Sequence, residues 1–122
     1  MENARGKSGA FGEAAARAYL ENQGLKFVAN NWSCKTGEVD LIMRDGECLV
    51  FVEVRLRQPT SYGEGFETVA HNKQRKLIRT ALYYQQKENY WGDIRFDVVS
   101  IVMREEGSPV IEHIEHAFEA EV

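Results

Sequence analysis

At 122 residues, 43% hydrophobic and 28% charged, the chain has the size and mix of one globular domain, which excludes both a disordered polymer and a two-core architecture. Its longest apolar run, Cys48 to Val52, is far too short to cross a bilayer, and the start MENARGKSGA has no apolar signal segment, so a cytoplasmic location without a membrane partner is expected. The net charge of −4 excludes a globally basic nucleic-acid binder, although residues 104–122 carry Arg104 and six glutamates and leave the rest of the chain at +1.

In chain order, Ser8 is placed to cap a helix that runs to about Asn22 and stops at Gly24. Phe11, Ala14, Ala15, Ala18 and Tyr19 make its narrow apolar face, and the alanines permit close approach to a sheet. LKFVANNWS (25–33) reads as a first strand ended by the Asn-Asn pair. GEVDLIMRDGECLVFVEVRLR (37–57) alternates apolar and polar residues on both sides of Asp45-Gly46 and reads as a hairpin, stopped at Gln58-Pro59. TSYGEG (60–65) is a loop without the lysine and hydroxyl of a phosphate-cradling motif. A second helix, about Glu67 to Glu88, carries Val69, Leu77, Ile78, Ala81, Leu82 and Tyr84 near helical spacing, with Lys73, Arg75, Lys76 and Arg79 on its other face. IRFDVVSIV (94–102) reads as a buried strand and PVIEHI (109–114) as a short edge strand. Residues 1–7 and about 115–122 are expected to be flexible ends of a single domain. The class is α/β, a mixed central sheet flanked by helices in the order α-β-β-β-α-β, with one further strand possible at the end. Cys34 and Cys48 follow no paired or zinc-like spacing, which fits free thiols in a reducing compartment.

The hairpin raises the functional question. With Asp45-Gly46 as a two-residue turn, Asp40 opposes Phe51 and Glu38 opposes Glu53. Glu38, Asp40, Ile42, Leu49, Phe51, Glu53, Arg55 and Arg57 then share one face; Val39, Leu41, Met43, Val50, Val52, Val54 and Leu56 share the other. The first face mixes acids with apolar residues that need cover, so a helix over it would leave Glu38, Asp40 and Glu53 partly enclosed at its margin. Two carboxylates about 5 Å apart repel by roughly 3 kcal/mol at an effective dielectric near 20. A proton, a basic partner or a cation must intervene. Carboxylates without histidine or cysteine suit a hard ion, Mg²⁺ or Mn²⁺, and an ordinary salt-bridged face stands beside that reading.

Glu13 on the first helix, Asp40 in GEVD and the run Glu53-Val54-Arg55 resemble the PD-(D/E)xK nuclease motif. The stretches GEAAARAYL, NNW, GEVDLIMRDG, LVFVEVRLR, VAHNKQRKL and RFDVVSI resemble, in order and spacing, the YraN-like bacterial family over about residues 8 to 118. That family is assigned to the restriction-endonuclease-like fold and is related to archaeal Holliday-junction resolvases. The resemblance implies that Asp40 and Glu53 bind Mg or Mn, that Glu13 completes the acidic cluster and that Glu38 supports it. It also implies that Arg55 stands where the superfamily has lysine. Arginine cannot serve as a general base at neutral pH but can hold phosphate oxygens. Lys35, Lys73 and Lys76 are the candidates for a substitute lysine. Lys73, Lys76, Arg79 and Arg57 are the candidates for phosphate contacts. DNA, including branched or junction DNA, is the implied partner, with a homodimer by analogy to the resolvases.

Blander readings accompany each residue. Glu13 could pair with Arg17 one turn on. The basic run could be a solvated face. His71, His113 and His116 read as surface residues, and Trp32, Tyr62, Phe66, Tyr83, Tyr84 and Trp91 read mainly as core. Three functions remain: a metal-dependent phosphodiesterase acting on DNA, a nucleic-acid-binding or repair-associated protein of the same fold with little catalysis, and a small partner-binding domain whose acids only form salt bridges.

Overall fold

A computed structural model of the chain describes residues 4–58 and 71–119, with side chains from Gly9 onward. Its elements are α1 (Ala4–Asn22), β1 (Lys26–Cys34), β2 (Gly37–Asp45), β3 (Cys48–Arg57), α2 (His71–Glu88), β4 (Ile94–Val102) and β5 (Val110–Phe118). The five strands form one sheet in the order β1-β2-β3-β4-β5. Only β3 and β4 run parallel, the pairing that requires a crossover, and α2 lies within that connection. The mixed sheet and the order α-β-β-β-α-β-β are those expected. TSYGEG and the expected start of the second helix at Glu67 lie outside the described residues. Among the described residues no helix is long and apolar enough to cross a membrane.

Among the described residues, each face of the sheet carries one helix. On one face Ala16 and Leu20 of α1 cover Leu41, Met43, Val50, Val52, Val99 and Ile101. On the other, Leu77, Ala81 and Tyr84 of α2 cover Val39, Ile42, Leu49, Phe51 and Phe96. Each buried leucine, isoleucine, valine or phenylalanine contributes about 1.5–3 kcal/mol before conformational entropy is counted. Strands β2, β3 and β4 are therefore apolar on both sides, which is why β4 reads as a run and the alternation of the hairpin is broken at Leu41–Met43 and Leu49–Val52.

Several local expectations change. Helix α1 begins at Ala4, so Ser8 lies inside it rather than capping it. Its buried face is Gly12, Ala16 and Leu20, flanked by Ala15 and Tyr19, whereas Phe11, Ala14 and Ala18 are exposed. Gly12 faces the sheet beside Val54 and Ile101, where an added Cβ would stand at 3.5 and 3.8 Å in ordinary contact, and the bulkier neighbouring stripe turns outward. The Asn-Asn pair does not end β1: Asn31 takes a left-handed φ of +53° and the strand continues to Cys34. On α2, Leu82 is exposed while Thr80 and Gln85 are buried. The β1–β2 turn presses on α2 there, and a Cβ on Gly37 would meet the Thr80 hydroxyl at 3.2 Å.

Strand β5 runs to Phe118, so residues 115–118 belong to the sheet and are not a frayed end. It bulges opposite Asp97, where the register passes from Val98↔Ile114 to Phe96↔Phe118 and His116 adopts φ +56°. The buried Asp97 carboxylate accepts the His116 backbone N–H at 3.0 Å, His113 Nε2 at 2.8 Å and the Arg95 guanidinium at 2.9 and 3.1 Å. Arg95 also reaches Asp45 at 2.9 Å. His113 is thus an interior residue, edge-on to Tyr19, and not the surface histidine its place near the acidic tail suggests. Burial pushes the Asp97 carboxyl up, but the bonds from His113, Arg95 and the His116 N–H outweigh it and hold the group below the usual carboxylate range.

Candidate functional site

The β2–β3 hairpin turns at Gly46-Glu47, two positions further along than Asp45-Gly46 would imply as a register sum, with Asp45↔Cys48 as its closing pair. Gly46 at φ +63°, followed by a residue that is not left-handed, is the type II′ pattern with glycine at the first central position. A shift of two keeps the face assignments but changes the partners. Phe51 opposes Ile42, and the residues next beyond the last ladder pair, Leu41↔Val52, are Asp40 and Glu53. Glu53 therefore meets Asp40, and Glu38 is left exposed on the β1 side opposite Ser33.

The ladder stops there because Asp40 replaces it. Its Oδ2 accepts the Val54 backbone N–H at 2.8 Å, taking a donor that the next strand pair would have used. Beyond this point β2 also rotates: Val39, expected beside Leu41 and Met43, packs with Ile42, Phe51 and Leu77 on the α2 face. Strands β2 and β3 part at the two acids, which places both carboxyls in a fork in the sheet.

Both helices reach this fork. From α2, Lys73 Nζ stands 2.5 Å from Glu53 Oε2, the acid buried to 8% exposure and the lysine half exposed. From α1, Glu13 Oε1 accepts the Asn31 side-chain amide at 2.9 Å, and Asn31 lies on β1 between the pairs Asn30↔Leu41 and Trp32↔Val39, beside Asp40. Arg17 does not pair with Glu13; it bonds Glu21 at 3.1 Å and lies 3.6 Å over the Phe27 ring. Burial and the charge of Glu53 push the Asp40 carboxyl up to about 7, Glu13 adding to the rise while the Val54 N–H and Lys73 oppose it.

The remaining sequence candidates fall into three places. Arg55 and Arg57 are half-buried on β3, with Arg55 two residues past Glu53 on the same face and level with Ser100 of β4; both are engaged by neighbours. Lys76 and Arg79 are exposed on α2, as is Arg75. Lys35 is exposed in the β1–β2 turn, where Cys34, Thr36 and Thr80 form a chain of hydrogen bonds to α2.

Two carboxylates, Asp40 and Glu53, come together at the fork. Among the described residues no group of three or more His, Cys, Asp or Glu side chains converges as metal ligands. Glu13 acts on Asp40 through its charge and is bonded to Asn31. Two carboxylates with one lysine leave negative charge in a partly buried fork, and a hard ion bound by one or two carboxylates keeps its other positions for water and phosphate. Asp40 and Glu53 fit such an ion. Sequence reasoning missed Asn31 as a site residue, although an Asn-Asn pair inside a strand signals a left-handed position. It left Lys73 as one of three lysines, yet Lys73 is one turn before the buried Leu77 and so shares its inward face.

An α/β domain with acids from adjacent strands at a fork in a mixed sheet, helices from both faces converging on it, belongs to the restriction-endonuclease-like class. The model of the uncharacterised protein family UPF0102 matches residues 12–101, and the chain belongs to that family, the YraN-like proteins. It is 45% identical over 97 residues to a UPF0102 protein of Pseudomonas fluorescens, covering 78% of this chain and 81% of the other. It is 40% identical over 111 residues to one from Nocardia farcinica, covering 90% and 87%. A third, from Ectopseudomonas mendocina, is 43% identical over 110 residues, covering 88% and 91%.

Proposed function

We propose that the protein is a metal-dependent nuclease that hydrolyses phosphodiester bonds in DNA, with Asp40 and Glu53 holding Mg²⁺ or Mn²⁺. The observation that carries this reading is the half-buried Asp40 carboxyl, raised to about 7 beside Glu53, which Lys73 reaches from α2. Such a pair is costly to a small domain as it stands and is relieved by a divalent ion. The ion, when bound, supplies polarisation of a phosphoryl oxygen and a water of lowered pKa. The chain supplies the rest. The Val54 N–H fixes the Asp40 carboxylate, and Asn31 positions Glu13 so that its charge bears on the same fork. Lys73 brings an ammonium to Glu53 from α2, the service a lysine two residues later on β3 would give, and Arg55 adds a permanent charge on that face. Lys76 and Arg79 continue the cationic line along α2 and would contact flanking phosphates, with Arg57 on β3. Cutting both strands of a junction would need a second copy, so a homodimer belongs to this reading.

The test is cleavage of labelled linear, tailed and junction DNA with Mg²⁺ or Mn²⁺. Wild type is expected to cut at least one form. Asp40→Asn should lose cleavage while still binding DNA, and Lys73→Met should lower the rate on the order of 10²- to 10³-fold. Equal cleavage by wild type and Asp40→Asn would remove the assignment. The alternative, a DNA-binding protein of this fold with little catalysis, draws on the Glu53–Lys73 pair being already close to neutral and on the two-carboxylate donor set. It predicts binding by wild type and both variants with no cleavage by any.

A further inference from the structure

The exposed flank of α2 beyond the fork ends in a ring. Lys76, Arg79 and Tyr83 lie at i, i+3 and i+7 on α2 and so form one stripe along the helix. Tyr83 is 44% exposed, whereas Tyr84 beside it is buried in the core. The Tyr83 ring is not loose: Trp32 of β1 stands against it with centroids 6.4 Å apart and planes tilted by 50°. Trp32 is itself held edge-on to Tyr84 at 5.2 Å. Trp32 follows Asn31, so the aromatic pair is anchored to the strand segment that runs beside Asp40. Along the helix axis Tyr83 is about 15 Å from Lys73, at 1.5 Å per residue.

On a protein of net charge −4, this flank gathers cations around one fixed, solvent-facing ring: Lys76 and Arg79 before it, Lys87 one turn after it, and Lys35 in the nearby turn. A backbone-tracking cationic line with an aromatic face is how single-stranded nucleic acid is held, because every unpaired base offers a π-face. A duplex hides its base faces in the stack and gains nothing from the ring. We propose that Tyr83, backed by Trp32, stacks on an unpaired base, and that the substrate class is DNA with a single-stranded segment running from the fork along α2. The inference rests on the reading of the fork and the basic stripe as a nucleic-acid site.

The experiment measures binding, by fluorescence anisotropy in Ca²⁺ at low salt, of three labelled DNAs: a single strand, a blunt duplex of equal length, and a duplex with a single-stranded tail. The proteins are wild type, Tyr83→Ala, Tyr83→Phe and the double variant Lys76→Gln/Arg79→Gln. Tyr83→Ala is expected to weaken single-stranded and tailed DNA by roughly 5- to 100-fold and to leave the duplex unchanged. Tyr83→Phe, which keeps the ring, should bind like wild type, and unchanged duplex binding by the alanine form shows that it is folded. Removing the two cations should weaken all three DNAs. If Tyr83→Ala matches wild type on every DNA while the charge variant is impaired, the stacking role is overturned and the nucleic-acid reading stands. If wild type binds none of the three, both fall together.

Discussion

Asp40 does two jobs with one carboxyl, and they pull its proton in opposite directions. The bond from Val54 N–H favours the carboxylate, while burial and Glu53 favour the acid and win, leaving the group near 7. The consequence for stability has a definite sign. Between the unfolded value near 3.8 and about 7 the folded state holds a proton that the unfolded chain has released, so stability falls as pH rises through that window. The metal-free protein should therefore melt at a lower temperature at pH 8 than at pH 5.5 on account of this residue, and Asp40→Asn should flatten that slope. Millimolar Mg²⁺ or Mn²⁺ at pH 8 should raise the wild-type melting temperature by mass action and leave the asparagine variant unmoved. The ion's effect should fade as pH drops through 7, because the proton competes for the same carboxyl. Melting curves at two pH values with and without the ion read out all of this. A wild type indifferent to both cations would confine Asp40 and Glu53 to a structural role.

At the scale of elements, the β4–β5 pair is held by a carboxylate of opposite character. Asp97 accepts from a backbone N–H, a histidine and an arginine, and these bonds fix the β5 bulge against β4. Its acid form is disfavoured, so its contribution is complete above about pH 4 and is lost only on further acidification, the reverse of Asp40. Replacing it with asparagine removes the charge that Arg95 and His113 were buried against. Chemical denaturation of Asp97→Asn should show a loss of roughly 3–5 kcal/mol. The same substitution should leave any DNA binding by the folded protein intact, since Asp97 pairs with Val52 and lies two residues before Val99, on the face covered by α1 and away from the α2 stripe. A mild effect on stability would mean that the bulge is held by strand pairing alone.

Over the whole molecule, the parts that sequence made legible are those written in periodicity and composition. The α/β order, the five strands and the two-sided burial of the middle ones follow from apolar runs bounded by glycine, proline and asparagine, and the family pattern identified Asp40, Glu53 and Glu13 as a set. What sequence did not reveal depends on distances between elements. The hairpin turn is one example: Asp45-Gly46 and Gly46-Glu47 are both chemically reasonable, and both keep the same faces, so periodicity cannot choose between them, yet the choice decides whether Glu53 meets Glu38 or Asp40. Helix α1 is another: Gly12, Ala16 and Leu20 face the sheet, although the larger apolar Phe11 lies one position away and is exposed. Asp97 and His113 are the third. An aspartate inside IRFDVVSIV was visible, but its histidine partner is 16 residues away across a bulge that no local pattern announces.

The parting of β2 and β3 also fixes where the sheet is easiest to pry open. Val54 hands its amide proton to a side chain instead of to a neighbouring strand, so that amide's protection from solvent exchange depends on a single carboxylate. Asp40→Ala should let the Val54 amide exchange with deuterium much faster than its neighbours Val52 and Phe51, which hydrogen exchange followed by NMR would resolve residue by residue. If Asp40 and Glu53 hold an ion, its addition should slow that exchange instead, like a clasp on a seam.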